Sequence, residues 1–233
     1  MLISAFPAGP LAANCYAVAA GRDRECVIID PGQDSADGIE AMLVEHGLTL
    51  RAVLVTHGHF DHMWQAQEVA DRHTVPVWIH PADRHLLSDP MAAISTESAA
   101  MLRAQLGLTE VGEFREPQLV RDAVAGARIE IDGLTLTVDH VPGHTPGTVA
   151  YRADYDGPEE FSQVWFTGDF LFAGSIGRTD LTGGDHPTMQ QSLAQAVLPL
   201  PDDVVVFPGH GPHTTVGRER AQNPFLRDLP PTS

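Results

Sequence analysis

The pattern of apolar and polar residues along the chain predicts an alternation of strands and helices. Short apolar runs that end in Gly, Pro, Asp or His are typical of buried strands. Such runs occur in "NCYAVAA", "ECVIIDPG", "RAVLVTH", "VPVWIH", "TVAYRA", "QVWFTGDF" and "DVVVFPGHG". In "ARIEIDGLTLTVDHVPG" two apolar runs flank Asp132-Gly133, a dipeptide that predicts a two-residue hairpin turn.

Apolar residues at helical spacing predict three helices. In "DSADGIEAMLVEHG" Ile39 and Leu43 share one face, and Gly47 is a suitable C-terminal stop. The stretch "DHMWQAQEVADRH" predicts a helix with Asp61 as its N-cap, and "HPTMQQSLAQAVLPL" predicts the third. Residues 82–127 are irregular, with helical patterning in "ESAAMLRAQLG".

The predicted elements fall into two similar halves, each with strands, a hairpin, a helix and a further strand. This order predicts an α/β fold, a layered sandwich of mixed sheets with helices on the outer faces. We expect residues 1–233 to form a single domain. Residues 82–127 would be an insertion, for which two interpretations stay open: a lid that covers a cleft, or a helix that packs on the sandwich.

Composition narrows the possible partners and location. Hydrophobic residues make up 43% of the chain and charged residues 19%, which is an ordinary globular balance. The net charge is -17 and every basic residue is Arg, which argues against a nucleic-acid partner because phosphate binding needs basic surface. The sequence shows no basic leader and no membrane-length apolar run, so we expect a cytoplasmic protein with no membrane partner. We expect Cys15 and Cys26 to be reduced thiols on neighbouring strands.

Unusual polar residues follow five of the predicted strands. They are Asp30-Pro31-Gly32, the stretch from His57 to His62, Gly143-His144-Thr145, Gly168-Asp169 and Gly209-His210. Function commonly lies on loops that a rigid scaffold holds in place. We therefore expect these five strand ends to meet at one shared rim of the sandwich.

Seven residues of this rim have side chains that bind divalent metal ions. They are His57, His59, Asp61, His62, His144, Asp169 and His210. Alternation in an extended segment puts His57, His59 and Asp61 on one side of the chain. One catalytic ion with an open position needs only three or four protein ligands. The number of candidates therefore predicts two ions that share a carboxylate, and such ligands accept Zn, Fe or Mn.

Four motifs of the chain resemble a known family. The motifs "THGHFDH", "PGHTPG", "TGDFLFAGSIGRTDL" and "FPGHG" closely resemble the metallo-β-lactamase superfamily. Within it they look most similar to the glyoxalase II (hydroxyacylglutathione hydrolase) type of thioesterase. The resemblance runs to about Arg227, and the sequence ends soon after His210, as in a shorter branch without the C-terminal helical domain. It implies a four-layer αββα sandwich with two mixed sheets.

The resemblance also implies which residues hold which ion. The first ion would be held by His57, His59 and His144, the second by Asp61, His62 and His210, with Asp169 bridging both. Zinc is the expected metal. A hydroxide shared by the two ions would attack the carbonyl of a small-molecule thioester such as S-lactoylglutathione. Asp61 would be the catalytic residue that orients this nucleophile.

Three residues outside the ligand set are further candidates. Arg178 matches a position that lies near the thiol portion of the substrate in similar proteins, and an ion pair with Asp180 or Asp185 is an equal alternative. His213 is a candidate substrate contact because it follows the last ligand closely, although a solvated loop histidine is the simpler interpretation. Asp30 in "IIDPG" resembles an acidic residue near the metal loop of the family, and it is expected to hydrogen-bond to a metal ligand rather than to bind metal.

Two alternative functions share these motifs. A persulfide dioxygenase with one iron would use His57, His144 and Asp169, and metal content and oxygen uptake would distinguish it. A lactonase would direct the same hydroxide at an ester carbonyl. The sequence leaves the thiol carrier, the acyl group and the oligomeric state open.

Overall fold

The first of two six-stranded sheets is built by the N-terminal half of the chain. The computed structural model describes residues 1–94, 100–101, 114–155, 157–227 and 229. The strands lie in chain order: β1 (Leu2–Ala8), β2 (Ala13–Ala19), β3 (Glu25–Ile29), β4 (Thr49–Leu54), β5 (Val77–Ile79) and β6 (Val120–Asp122). The pairs β1–β2 and β2–β3 are antiparallel, and β3 to β6 are parallel, so the sheet is mixed.

The second sheet is also six-stranded and mixed. Its strands are β7 (Arg128–Ile131), β8 (Leu134–His140), β9 (Val149–Asp154), β10 (Gln163–Gly168), β13 (Val205–Pro208) and β14 (Thr214–Thr215). They lie in the order β14-β13-β10-β9-β8-β7, and only β10 and β13 are parallel neighbours. A small hairpin of β11 (Leu171–Phe172) and β12 (Ser175–Ile176) lies apart from both sheets.

Six helices complete the described elements. They are α1 (Ala36–His46), α2 (Phe60–Met63), α3 (Ala66–His73), α4 (His186–Ala196), α5 (Val216–Gln222) and α6 (Pro224–Arg227). Two 3-10 turns, Arg84–Leu87 and Pro90–Ala93, follow β5. Within the described part of the chain, no helix is both long and apolar enough to cross a lipid bilayer.

Three apolar clusters show how the layers pack. The central cluster joins residues of the first sheet, such as Ile29 and Leu54, to Leu136, Tyr151 and Phe166 of the second sheet. A second cluster covers the outer face of the first sheet with α1 and α3, and a third covers the outer face of the second sheet with α4. The structure therefore confirms the predicted αββα sandwich with helices on both outer faces.

Local signals in the sequence predicted several turns correctly. Gly47 ends α1 with a left-handed φ of 65°, which glycine adopts without steric cost. Asp132 and Gly133, with φ of 43° and 88°, form the two-residue turn between β7 and β8.

Cys15 and Cys26 are buried free thiols on the neighbouring strands β2 and β3, as expected.

The prediction of a helix capped by Asp61 was wrong. Asp61 lies inside the short helix α2, whose N-cap is His59, and α3 starts separately after Gln65. Gln65 interrupts the helix because its backbone N–H donates to Pro31 O at 3.0 Å. Its side-chain oxygen accepts from the backbone N–H of Ala36 at 2.7 Å and so caps α1.

Two further differences concern β1 and the irregular stretch. Strand β1 was not predicted, because Pro7 and Gly9 interrupt its apolar pattern near the turn into β2.

Of the predicted insertion at 82–127, the described part contains the 3-10 turns, with Met91 buried, and strand β6. The proposed helix in "ESAAMLRAQLG" lies almost entirely outside the described residues, so the choice between lid and packed helix stays a prediction.

Candidate metal centre

The seven predicted ligands meet at one end of the sandwich. His57 and His59 lie in the loop that follows β4, and Asp61 and His62 lie in α2. The other three follow strands of the second sheet: His144 lies in the loop after β8, Asp169 comes directly after β10 and His210 comes two residues after β13. The expectation that the strand ends form one rim is confirmed.

The first cluster contains three buried imidazoles. His57, His59 and His144 each offer one nitrogen, and these atoms lie within 4.8 Å of one another. His144 Nε2 lies 2.8 Å from His59 Nδ1 and 3.2 Å from His57 Nε2. Three neutral imidazoles at this spacing could hold a divalent ion.

The second cluster contains two imidazoles and a carboxylate. His62 Nε2 lies 3.2 Å from His210 Nε2, and Asp61 Oδ2 lies 3.5 Å from His62 Nε2 and 3.2 Å from His210 Nε2. These three residues also satisfy the geometry of a possible metal site. Six of the predicted ligands thus fall into the two predicted sets, and a third possible group, His57, His62 and Asp169, overlaps both sets.

Asp169 lies between the two clusters. Its Oδ1 is 3.3 Å from His62 Nε2, and its Oδ2 is 3.7 Å from both His144 Nε2 and His210 Nε2. Gly209 makes room for this carboxylate, because a Cβ there would collide with Asp169 Oδ1 and would lie 2.7 Å from His62 Cε1. The location fits the bridging role that the resemblance implies for Asp169.

Hydrogen bonds fix the tautomers of three imidazoles. His62 Nδ1 donates to Asp30 Oδ2 at 2.9 Å, as predicted for Asp30. Thr56 Oγ1 donates to the same oxygen at 2.7 Å and is therefore left to accept from His57 Nδ1 at 3.0 Å. His144 Nδ1 donates to the backbone oxygen of Arg178 at 2.7 Å. The neutral rings of His57 and His144 then present a lone pair on Nε2 to the centre, and His62 presents its Nε2 there as well.

The positions of these lone pairs indicate whether metal ions fit the site. His57 Nε2 and His144 Nε2 are both acceptors in these tautomers, yet they lie only 3.2 Å apart. Asp169 Oδ1 is buried and accepts no hydrogen bond within the described structure. Buried acceptors that face each other or lack a donor are costly unless a cation compensates them. The donor set of nitrogen and carboxylate oxygen therefore fits divalent ions of the zinc or iron type.

The electrostatics of the two clusters differ. Burial, aided by neighbouring imidazoles, lowers the pKa of His57 and lowers the pKa of His59 to about 3. These rings are neutral and available as ligands at neutral pH. Burial also opposes a charge on His62, but the carboxylates of Asp169 and Asp61 outweigh it and raise its pKa. The second cluster therefore favours positive charge, which a bound cation would supply.

A cavity of about 400 Å³ opens above the clusters. Its walls include four apolar side chains from separate segments, Leu11, Phe60, Ile94 and Leu181. Arg178 also lines it, and its guanidinium forms a two-pronged ion pair with Asp180, with both N···O distances 2.7 Å. The structure therefore contains both features that the sequence left open for Arg178: the ion pair with Asp180 and a location beside the site.

His213 lies elsewhere. It lines a different depression with Asn14, Tyr16 and Phe207, and its ring is 6.0 Å from that of Phe207. The structure does not bring His213 to the walls of the metal-site cavity, because the chain turns away through Gly211, whose φ is 75°. A substrate contact for this residue gains no support from its location.

Sequence reasoning missed two residues that touch the ligand loops. Thr56 links Asp30 to His57, and its only sequence signal is a polar residue at the end of an apolar strand. Asp83 accepts hydrogen bonds from both loops that carry the first cluster. Its signal was hidden in the irregular stretch, since the contacts span 25 to 64 positions in sequence.

Comparison with known proteins agrees with this fold. The family model of the metallo-beta-lactamase superfamily matches residues 8–210. The chain belongs to this superfamily. A probable metallo-hydrolase, YqgX of Bacillus subtilis, is 36% identical over 220 residues, which cover 94% of this chain and 95% of the relative. The hydroxyacylglutathione hydrolase GloC of Haemophilus influenzae is 34% identical over 205 residues, 88% of each chain.

Two solved structures are similar over almost their full length. The BLEG-1 B3 metallo-beta-lactamase is 36% identical with a TM-score of 0.79, and the match covers 97% of this chain and 99% of that one. The protein TTHA1623, solved in a di-iron-bound form, is 35% identical with a TM-score of 0.72, covering 97% and 100%. The family and fold are thus established, and the substrate is a separate question.

Proposed function

We propose that this protein is a dinuclear metal-dependent hydrolase that cleaves thioesters of the S-acylglutathione type, in particular S-2-hydroxyacyl thiols. The observation that carries the proposal is the pair of three-residue clusters with Asp169 between them, at the base of an open cavity. When bound, two dications would acidify a water molecule and polarise a substrate carbonyl. The hydrolase names of YqgX and GloC support this reading of the geometry.

The protein's own residues would orient the reaction. Burial alone would raise the pKa of Asp61, but the neighbouring His62 and His210 outweigh it and lower this pKa. Asp61 is therefore a carboxylate that can accept a hydrogen bond from an attacking water. Asp61 also lines the cavity, where a substrate carbonyl would lie. A thiolate leaves without much help from an acid because thiols are far more acidic than alcohols.

The cavity walls favour a substrate with an apolar part and a polar or anionic part. Leu11, Phe60 and Leu181 would contact an acyl group, while the guanidinium of Arg178 would attract an anionic thiol carrier. Glutathione carries carboxylates, so it is one carrier of this kind. We propose zinc as the resident metal, with iron as an alternative because TTHA1623 was solved with two iron ions.

The proposal is tested by metal analysis and a substrate panel. Protein purified without added metal should contain two ions per chain and should hydrolyse S-lactoylglutathione faster than a lactone or a β-lactam such as nitrocefin. The β-lactam belongs in the panel because BLEG-1 is described as a metallo-beta-lactamase. Full thioesterase activity with one ion per chain would contradict the dinuclear centre. Oxygen uptake with a persulfide and no thioester hydrolysis would favour the dioxygenase alternative.

A variant of Asp169 sharpens this test. Asp169→Ala removes the carboxylate that approaches both clusters, so we expect less than two ions per chain and a loss of kcat of at least about 100-fold. Asp180→Ala is the control, because Asp180 is an exposed carboxylate near the cavity that contacts Arg178 and no ligand nitrogen. Equal metal content in Asp169→Ala and wild type would contradict the bridging role.

A further inference from the structure

Asp83 is a fully buried carboxylate that joins the two loops of the first cluster. Its Oδ2 accepts from the backbone N–H of Gly58 at 2.9 Å and from Thr145 Oγ1 at 2.6 Å. Its Oδ1 accepts from the backbone N–H of Gly147 at 2.9 Å. All three partners are uncharged donors.

Two of these partners lie next to the ligands in sequence, and Gly147 lies in the same loop as His144. Gly58 separates His57 from His59, and Thr145 directly follows His144. One carboxylate therefore ties together the loop after β4 and the loop after β8, which come from different sheets. The approach is close, since a Cβ on Gly147 would lie 2.5 Å from the Asp83 carboxyl carbon.

From these contacts we propose that Asp83 is a positioning residue that sets the affinity of the first metal site, His57, His59 and His144. The proposal rests on the metal centre of the proposed function. Two of the partners are backbone N–H groups that can only donate, so both loops need an acceptor. A carboxylate satisfies both at once. An amide of the same shape would turn its NH₂ towards one loop and lose the bond there.

A separate contact set holds His210 of the second site. Asn14 donates from its backbone N–H to Gly209 O at 2.7 Å and from its side chain to Pro208 O and Gly211 O at 3.0 and 2.9 Å. Asn14 and Asp83 thus act on different sites through different loops. We expect a change at Asp83 to weaken one ion selectively.

The experiment measures the affinity of each site for Zn²⁺ or Co²⁺ in metal-free protein, by competition with a chromophoric chelator. Asp83→Asn should weaken one of the two affinities by about 10- to 100-fold and change the other by less than about threefold. Asn14→Ala should weaken the other ion instead. In the double variant both affinities should fall.

Glu219 provides a matched control for burial and charge. It is also a buried carboxylate with three donors, Gly174 N, Thr214 Oγ1 and Asn223 Nδ2, but none of them is adjacent to a ligand. Glu219→Gln should lower thermal stability like Asp83→Asn and leave both metal affinities unchanged. Thr145→Val, which keeps the Asp83 charge and removes one hydrogen bond, should give a smaller loss at the same site.

The outcomes separate this proposal from the proposed function. Equal weakening of both ions by Asp83→Asn, or the same metal loss in Glu219→Gln, would show that Asp83 is only a fold brace. If Asp83→Asn does not fold, an unchanged affinity in Thr145→Val overturns the proposal instead. A wild type that binds two ions and hydrolyses no thioester would reject the proposed substrate but leave the role of Asp83 intact.

Discussion

At the residue scale, single polar groups determine which imidazole nitrogens are free to bind metal. Asp30 accepts from His62 directly and from Thr56, which in turn accepts from His57. One buried carboxylate thus orients a ligand of each cluster. Asp30 could be predicted as such a partner because, in "IIDPG", it resembles an acidic residue that lies near the metal loop in the superfamily. Thr56 and Asp83 could not be predicted, since their roles depend on which loops the fold brings together.

Arg178 provides a prediction at this scale. Its exposed guanidinium lines the cavity, while its backbone oxygen, which a substitution keeps, holds His144. Arg178→Ala should raise KM for an anionic thioester by about tenfold and change kcat by less than about twofold. The reason is that the guanidinium would bind the anionic carrier equally well in the ground state and in the transition state. A neutral thioester such as an S-acyl N-acetylcysteamine should be almost unaffected. Steady-state kinetics on both substrates measure this.

The control for Arg178 is another exposed Arg two residues from its acidic partner. Arg128 pairs with Glu130 at 3.3 Å, away from the cavity. Arg128→Ala should leave both kinetic constants unchanged. If Arg178→Ala lowers kcat equally for the anionic and the neutral substrate, the residue is a loop brace and the binding role is rejected.

At the element scale, local periodicity and turn residues predicted most strands and helices, and tertiary contacts caused the errors. The run after His59 has helical spacing, yet the helix is interrupted at Gln65. The side chain of Gln65 caps α1 through Ala36, which lies 29 positions earlier in the sequence. Such a contact has no local signal. Strand β1 pairs with β2 over its full length despite Pro7, because an edge strand tolerates a missing donor.

The C-terminal cap of α1 gives a prediction of stability without function. Gly47 has a φ of 65°, and a Cβ there would collide with the Asp23 carboxylate. Gly47→Ala should therefore destabilise the fold by more than about 1 kcal/mol, lowering Tm by roughly 2–4 °C or more. The helix lies outside the metal centre, so kcat should not change. Thermal unfolding and kinetics of the same sample test both statements.

Gly126 separates the two causes of this loss. It also has a positive φ, 78°, but a Cβ there would contact nothing within 4 Å. Gly126→Ala should cost only the backbone strain, about 1 kcal/mol, and less than Gly47→Ala. Equal losses at the two positions would show that the contact with Asp23 is relieved by movement of that side chain.

At the scale of the whole molecule, the fold class followed from the order of elements, and the seven candidate ligands followed from the strand ends that carry them. What the sequence did not reveal is the contact between the halves. Tyr16 of β2 crosses the central core and donates to Pro208 O at the end of β13, 2.6 Å away. Nothing local to Tyr16 indicates a partner 192 positions later.

Tyr16 also makes stability depend on pH in a defined direction. Burial disfavours the phenolate and raises the pKa of Tyr16 above its usual value near 10. Above pH 10 the unfolded chain loses this proton while the folded protein keeps it, so the stabilisation is complete below pH 10 and is lost as pH rises further. One such group changes the free energy of unfolding by at most about 1.4 kcal/mol per pH unit.

Tyr16→Phe isolates this contribution. The variant should lose about 1 kcal/mol at pH 8 because the hydrogen bond to Pro208 O is absent, while Asn14 still donates to that oxygen. Between pH 9 and pH 11.5, wild type should lose more unfolding free energy than the variant, so the two curves converge. Denaturant unfolding at a series of pH values measures the difference. Curves that stay parallel across this range would show that the folded protein releases the Tyr16 proton as readily as the unfolded chain.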